Sequence, residues 1–268
     1  MTKSATRRVF LKTSLVAAAM TGVGGTVRAQ DGDAKKKQEY YEYRIYRVKD
    51  AEKQKIVLNY VSKALVPALN RIGSSPIGVF TDMKKTDDLS VHVLIPYATT
   101  QAFSDLNPKL QADAVYQKAA GESFACPKKD PAYTRVESRF MKAFTSIPVI
   151  ELPKQTPGKK PRMFEVRIYE AHNEERAAGK VDMFDTGETQ VMRDTGLAPV
   201  FFGETLIGPD VPNLTYMLSA ANEEEHKAHW KAFMVHPEWQ RMKKLPKYKD
   251  TVSKITNYFL VPADCSQI

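Results

Sequence analysis

The stretch "FEVRIYE" at residues 164–170 has a close counterpart in "YEYRIYR" at residues 41–47, which lies 123 positions earlier. The same offset aligns Gly73 with Gly196 and Pro76 with Pro199. It also aligns "VHVLI" (91–95) with "LTYML" (214–218). Identities at strand and turn positions, held at one spacing, indicate an internal duplication.

Both copies carry the same predicted order of elements. In the first copy we predict strand 40–47, a helix from Asp50 to Gly73 kinked at Pro67, strands 77–82 and 89–95, helix 99–120 and strand 135–143. In the second copy we predict strand 163–169, helix 173–195, strands 200–206 and 213–219, helices within 222–250 and strand 255–261. The order βαββαβ is that of a ferredoxin-like unit, in which helices cover one face of an antiparallel sheet, so the fold class is α+β.

The other face of each sheet must also be covered, because strand 163–169 carries large side chains on both sides. We therefore predict that the two repeats, 39–146 and 161–268, pack sheet against sheet as an intrachain dimeric α/β-barrel. The Pro-rich segment 147–160 links them. This arrangement predicts a monomer with an internal pseudo-dimer and a cavity between the repeats; a further homo-oligomer stays open.

The first 29 residues have the features of an export signal. "TRRVFLK" (6–12) places two arginines before a short apolar run, and "VRA" ends at Ala29. The order of charged, apolar and small residues predicts a cleavable twin-arginine (Tat) signal peptide, followed by a polar mature N-terminus at 30–38. We expect a periplasmic or extracellular protein with no permanent membrane span after cleavage, although retention of the leader as an anchor is an alternative.

Charge argues against nucleic-acid binding. The full chain has a net charge of +9, but residues 1–29 hold five basic residues and no acidic ones, which leaves +4 on the remainder. The lysine pairs are scattered along the chain and are not interleaved with aromatic residues.

Cys126 and Cys265 are the two cysteines, one near the end of each copy. In an oxidising compartment an even count suggests a disulfide. Two free thiols too far apart to meet are the alternative, because pairing depends on geometry.

The second copy resembles the NIPSNAP family of the dimeric α/β-barrel superfamily. The resemblance rests on "FEVRIYE", "GLAPVFFGETLIGPDVPNLTYML" and "NEEEHKAHWKAFMVHPEWQ", and it covers nearly all of 162–262. Residues 39–145 match more loosely. The resemblance implies the barrel fold and a sheet-lined pocket, on a fold that includes oxygenases acting on aromatic substrates, haem-dependent enzymes and binding proteins. It supplies no catalytic residues.

Seven polar residues are candidates for lining the predicted pocket: Glu42, Arg44, Tyr46, His92, Glu165, Arg167 and Tyr169. Glu, Arg and Tyr alternate onto one face of the first strand in each copy, where the arginines could bind an anionic or carbonyl-bearing ligand. The same pairs could instead be structural, since buried charges persist mainly when they are paired.

The histidines give no metal prediction. His226 and His229 are three residues apart in a helical pattern, but "EEEHKAHWKAF" is highly charged and reads as a solvated helix face. We predict no cofactor, while haem bound through a single histidine is not excluded.

Three functions are compatible with this pattern. The first is binding of a small apolar or aromatic molecule between the repeats. The second is an oxidoreductase of the α/β-barrel monooxygenase type or an isomerase, cofactor-free or haem-dependent. The third is a periplasmic protein-interaction module.

Overall fold

The computed structural model describes residues 37–84 and 88–268. The predicted signal peptide, 1–29, lies outside the described residues, as does most of the polar segment that follows it. Among the described helices there is none whose length and apolar character would let it cross a bilayer.

Each half of the described chain contributes four strands. The strands of the first half are β1 (Tyr40–Arg47), β2 (Gly78–Asp82), β3 (Val91–Tyr97) and β4 (Arg135–Ala143). Those of the second half are β5 (Met163–Glu170), β6 (Ala198–Ile207), β7 (Asn213–Ala220) and β8 (Lys254–Pro262). All eight predicted strands are present, which confirms the βαββαβ order in both halves.

The eight strands close into one antiparallel barrel in the order β1-β3-β2-β8-β5-β7-β6-β4. Two seams join the halves: β2 pairs with β8, and β4 pairs with β6. The predicted intrachain α/β-barrel is therefore confirmed, with two half-sheets that share their edges as well as their inner faces.

The barrel interior is a packed core. Inward-facing side chains from both halves fill it: Tyr41, Tyr43, Ile45, Phe80, Leu94, Met141, Ala143, Phe164, Val166, Val200, Phe201, Met217, Leu260 and Ile268. Phe80 and Phe164 meet across the halves with ring centroids 4.8 Å apart. The prediction that the polar residues of β1 and β5 line a cavity between the repeats was wrong, because large aromatic and aliphatic side chains occupy the inner faces of these strands.

Helices cover the outside of the barrel. Those of the first half are α1 (Ala51–Tyr60), α2 (Val66–Arg71), α3 (Thr100–Ser104), α4 (Leu106–Ala112) and α5 (Ala114–Ser123). Those of the second half are α6 (Glu174–Met183), α7 (Thr189–Asp194), α8 (Glu223–Val235) and α9 (Pro237–Met242), followed by a 3₁₀ turn at Pro246–Tyr248. The predicted helix 99–120 is divided into α3, α4 and α5, and Asp113 begins the last of these, its side chain accepting a bond from the Tyr116 amide.

A single π-helical turn interrupts the first long helix of each half, at Val61–Leu65 and at Phe184–Glu188. These turns lie at the same offset of 123 that relates the sequences. Pro67 lies two residues after the end of the first turn, but the second half has Gln190 at that position. Proline is therefore not the cause of the irregularity; it is accommodated next to a turn that both halves possess.

Candidate functional site

Among the predicted pocket residues, Glu165 and Arg167 border a pocket. They lie on the outer face of β5, beneath α8. Glu165 and Arg167 point away from the barrel interior because Phe164 and Val166 occupy it. A pocket of about 380 Å³ lies between this face, β8 and α8. Its lining residues are Lys84, Met163, Glu165, Arg167, Glu223, His226, Lys227, Trp230, Asn257 and Phe259.

Helix α8 supplies the side chains opposite the sheet. Asn222 caps the helix by accepting a bond from the Glu225 amide at 2.9 Å, and glutamates fill the first turn, where the helix dipole favours them. Because His226 and Trp230 are four residues apart in this helix, both side chains lie on the helix face that is turned towards β5. His226 is only 4% exposed, so the reading of this segment as a solvated helix face was wrong for that residue.

Glu165 is the centre of the polar contacts in the pocket wall. Arg167 Nη1 donates to its Oε1 at 2.6 Å, Trp230 Nε1 donates to its Oε2 at 2.9 Å, and His226 Nε2 lies 2.8 Å from Oε2. Burial alone would raise the pKa of this carboxyl, but its bond with His226 and the charge of Arg167 lower it. Glu165 is therefore a carboxylate that holds three neighbouring side chains in place.

Arg167 has donors left over for a ligand. Its Nε donates to the Tyr169 hydroxyl at 3.1 Å and its Nη1 to Glu165, while Nη2 has no hydrogen-bond partner among the described residues. The guanidinium stacks over the Trp230 ring at 4.8 Å, and its side chain is 16% exposed. Tyr169 is turned away from the pocket, towards the Tyr216 hydroxyl at 2.8 Å.

In the first half the corresponding space is filled. Glu42 accepts two bonds from Arg44, at 2.6 and 2.8 Å, one from Tyr97 at 2.9 Å and one from Ser138 at 2.8 Å. Phe103 stacks on Phe140 at 4.1 Å above them. Tyr46 packs in the cluster between β1 and α1. Glu42, Arg44 and Tyr46 of the first half thus belong to a packed structural network, in which the Glu42 carboxylate has its hydrogen-bond partners within the protein.

Two substitutions account for the difference between the halves. Tyr97, which bonds Glu42, corresponds at the offset of 123 to Ala220, and Phe103 corresponds to His226. Ala220 and His226 are smaller than Tyr97 and Phe103, so the space that two aromatic rings fill in the first half is open in the second half. The outward face of β5, helix α8 and the middle of β8 therefore form the candidate site.

His92 lies elsewhere, inside the barrel. Its Nδ1 is 2.8 Å from the Tyr43 hydroxyl, and its ring is 1% exposed. Burial lowers the pKa of His92 to about 3, so it is neutral at ordinary pH. It is not part of the outer pocket.

The cysteines and the remaining histidines do not gather into a site. Cys126 and Cys265 are free, half-buried thiols that both pack against the helix-covered cluster of the first half, and their disulfide stays a prediction. His236 caps α9 through the Glu238 amide. In the described ranges no group of three His, Cys, Asp or Glu side chains is placed to hold a metal ion.

The pocket does not present an axial ligand for haem. His226 is the histidine in the wall, but its Nε2 is engaged by Glu165 and by Trp230 Nε1 at 3.1 Å. Its other nitrogen, Nδ1, is buried and does not reach the pocket surface. A haem iron would need His226 to leave these contacts, so the residues present do not fit the group.

Comparisons with known proteins agree with this architecture. The model of the NIPSNAP family matches residues 164–267. No match was found among curated proteins.

Solved structures share the fold at low identity. A presumed monooxygenase from Lactobacillus acidophilus has a TM-score of 0.56 at 10% identity, covering 84% of this chain and 94% of that one. An anthrone oxidase-like protein has a TM-score of 0.51 at 9% identity, covering 85% and 93%. An uncharacterised NIPSNAP-like domain protein from Burkholderia xenovorans matches 38% of this chain and 86% of its own, with a TM-score of 0.35 at 17% identity. The second half of the chain thus matches the NIPSNAP family, and the two halves together have the dimeric α/β-barrel fold in a single polypeptide.

Proposed function

We propose that this chain binds a small, partly aromatic molecule bearing a negatively charged or carbonyl group, in the pocket between β5, β8 and α8. The observation that carries the proposal is the contrast between the halves: the second half keeps a pocket of about 380 Å³ where the first half is filled by aromatic rings. A pocket of that size with few polar groups on an apolar wall is typical of small-molecule sites.

The lining defines the chemistry of the ligand. Trp230 and Phe259 provide aromatic surface against which a ligand ring can pack, and Met163 adds an apolar contact. Arg167 offers an unpaired Nη2, and Lys84 lies 5.7 Å from the Phe259 ring centroid at the pocket mouth. Among the described lining residues, Glu165 and Glu223 pair with Arg167 and Lys227, which leaves Lys84 as the charge without an ion-pair partner, so the pocket favours an anion.

The proposal includes the family and the compartment. The match of residues 164–267 and the shared topology of the two halves support a tandem NIPSNAP protein. The twin arginines of 6–12 and the small-residue pattern ending at Ala29 support export by the Tat route.

Two variants test the binding site with 1-anilinonaphthalene-8-sulfonate, an aromatic anion, as the fluorescent probe. Ala220→Tyr copies the first half and fills the pocket, while Arg167→Met removes the unpaired donor and leaves the apolar walls. We expect saturable 1:1 binding by the wild type, no saturable binding by Ala220→Tyr, and a Kd at least tenfold higher for Arg167→Met. Arg241→Met, which removes an exposed arginine of α9 that pairs with Glu238, is the matched control and should bind normally.

The proposal fails if Ala220→Tyr binds the probe as the wild type does. A large fall in Tm for Arg167→Met would mean that the Glu165–Arg167 pair is structural.

Mass spectrometry of the freshly purified wild type and Ala220→Tyr, after denaturation, identifies any natural ligand that the pocket retains. A chain that carries no ligand and recovers a protein partner through the same face would favour the interaction module.

A second candidate is catalysis in the same pocket. In the pocket wall the Glu165 carboxylate is held by His226 Nε2 at 2.8 Å, and this carboxylate could accept a proton from a bound substrate. Because the fold is shared with an anthrone oxidase-like protein, an anthrone is the first compound to test. Oxygen uptake by the wild type that is lost in His226→Phe would support an oxygenase; equal uptake by both would remove this candidate.

A further inference from the structure

One end of the barrel interior is polar, unlike the rest of the core. His92 of β3, Arg139 of β4, Thr215 of β7 and Tyr258 of β8 face inward there, and so does Glu137 of β4, which lies opposite Ile45. His92 and Thr215 are related by the offset of 123, and Arg139 and Tyr258 lie opposite Tyr43 and Val166 on the equivalent strands β1 and β5. His92 with Thr215, and Arg139 with Tyr258, are therefore two pairs of equivalent positions arranged around the barrel axis.

Several donors at this end have no partner among the described residues. These atoms are Nε and Nη1 of Arg139, Nε2 of His92 and Oγ1 of Thr215. The three residues are 4%, 1% and 0% exposed. Buried polar groups are normally hydrogen-bonded, so three adjacent exceptions on facing strands need an explanation.

Arg139 is the strongest of these exceptions because it carries a full charge. Within ranges 37–84 and 88–268 its single polar contact is from Nη2 to Asp210 at 3.5 Å, and the Asp210 side chain is 52% exposed. The other nearby carboxylates are already taken, since Arg47 pairs with both Glu137 and Asp88. Nε and Nη1 of Arg139 therefore have no acceptor among the described residues, and an unpaired charge in such a buried position is energetically costly.

His92 is arranged to act with Arg139. The ring centroids of His92 and Tyr258 are 5.0 Å apart, and the charge of Arg139 acts on both His92 and Tyr43. When the Tyr43 hydroxyl donates to Nδ1, the neutral imidazole carries its proton on Nε2 and presents a donor to the interior.

We propose that this end of the barrel, which we call the interior polar end, binds a small oxyanion such as inorganic phosphate or a carboxylate. Arg139 supplies the charge and the principal hydrogen bonds, and His92 Nε2 and the Thr215 hydroxyl supply neutral donors. The site is separate from the outer pocket, because its residues face the inside of the sheet and those of the pocket face the outside. It does not depend on the proposed function.

The test is a titration of the full chain with sodium phosphate and with sodium acetate, followed by Tm. Ionic strength is held constant with sodium HEPES, whose anion is too bulky for the interior. We expect a saturable rise in Tm with at least one of the two anions for the wild type. Arg139→Met should raise the apparent Kd at least tenfold, and without anion it should melt no lower than the wild type because it removes an unpaired buried charge.

Two further variants make the result decisive. Asp210→Asn should keep or strengthen the response, since it removes a competing carboxylate. Ala220→Tyr fills the outer pocket and should respond as the wild type does. The proposal is overturned if the wild type does not respond, if Arg139→Met responds equally, or if Asp210→Asn loses both stability and response, which would make Asp210 the true partner.

A measurement on the wild type covers the case in which Arg139→Met does not fold. The imidazole signals of His92 in ¹H–¹⁵N NMR should shift saturably with the same anions. Signals of His92 that are indifferent to phosphate and acetate would refute the site.

Discussion

Glu42 and Glu165 occupy equivalent positions on β1 and β5, yet their surroundings differ in kind. Glu42 is held by Arg44, Tyr97 and Ser138, which all lie on strands of the barrel. Glu165 is held by Arg167 and by two residues of α8. The pairing of Glu with Arg two residues later could be predicted from sequence. The side chains that complete each set could not, because they come from elements more than 50 residues away.

His92 gives a prediction at the scale of one residue. Its pKa falls from 6.5 to about 3 on folding because burial disfavours the charged ring. Between these values the unfolded chain binds a proton that the folded chain does not, so stability is full above pH 6.5 and decreases as the pH falls. We expect His92→Phe to remove a slope in the free energy of unfolding that grows as the pH falls from 6.5 to 5 and approaches about 1.4 kcal/mol per pH unit.

Urea unfolding at a series of pH values measures this slope. His172→Gln, a change at an exposed histidine, is the control and should retain the wild-type slope. Equal slopes for the wild type and His92→Phe would contradict the assignment of His92 as the buried, neutral group.

At the scale of elements, the first long helix of each half has the same π-turn but a different buried pair beside it. Lys180 and Glu188 of the second half form an ion pair at 2.5 Å, 4% and 2% exposed. The corresponding residues of the first half are Val57 and Leu65, both fully buried. The helix positions were predictable from apolar periodicity. The π-turn was not, because the same stripe of apolar residues is compatible with an uninterrupted α-helix.

This natural comparison predicts the cost of the buried ion pair. Glu188→Leu alone leaves Lys180 charged and unpaired, and we expect a loss of about 3–5 kcal/mol in the free energy of unfolding. The double variant Lys180→Val/Glu188→Leu copies the first half, and we expect it to be within about 1 kcal/mol of the wild type or more stable.

Urea denaturation of the wild type, both single variants and the double variant gives the coupling energy of the pair. A double variant that is as unstable as Glu188→Leu would show that the pair is needed for the π-turn itself.

At the scale of the whole molecule, the offset of 123 residues was enough to predict two βαββαβ units closing one barrel. It was not enough to predict which face of β1 and β5 turns inward. Both faces carry large side chains, so the sequence alone is equally compatible with the polar face of Glu165 and Arg167 lining an inner cavity. The aromatic rings of Tyr43, Phe80 and Phe201 fill the interior instead, and helices cover the charged face.

The shared core predicts that neither half is stable alone. Residues 37–146 and 161–268 would each expose one side of the interior cluster and two unpaired strand edges, at the β2–β8 and β4–β6 seams. We expect each half, expressed separately, to be insoluble or to lack a cooperative thermal transition, and co-expression of both to restore one.

Circular dichroism and size-exclusion chromatography of the separate and co-expressed halves measure this directly. A half that melts cooperatively as a monomer would contradict the dependence of each sheet on the other.

Placing both half-barrels in one chain has a consequence for what the protein can become. In a homodimer of identical subunits every substitution occurs twice, so a residue that opens a pocket on one side opens it on the other and weakens both. Here Ala220 and His226 open one side, while Tyr97 and Phe103 keep the opposite side solid. The second half can therefore keep an open pocket while the first half stays fully packed. A symmetric homodimer cannot combine these two states, because its halves have the same sequence.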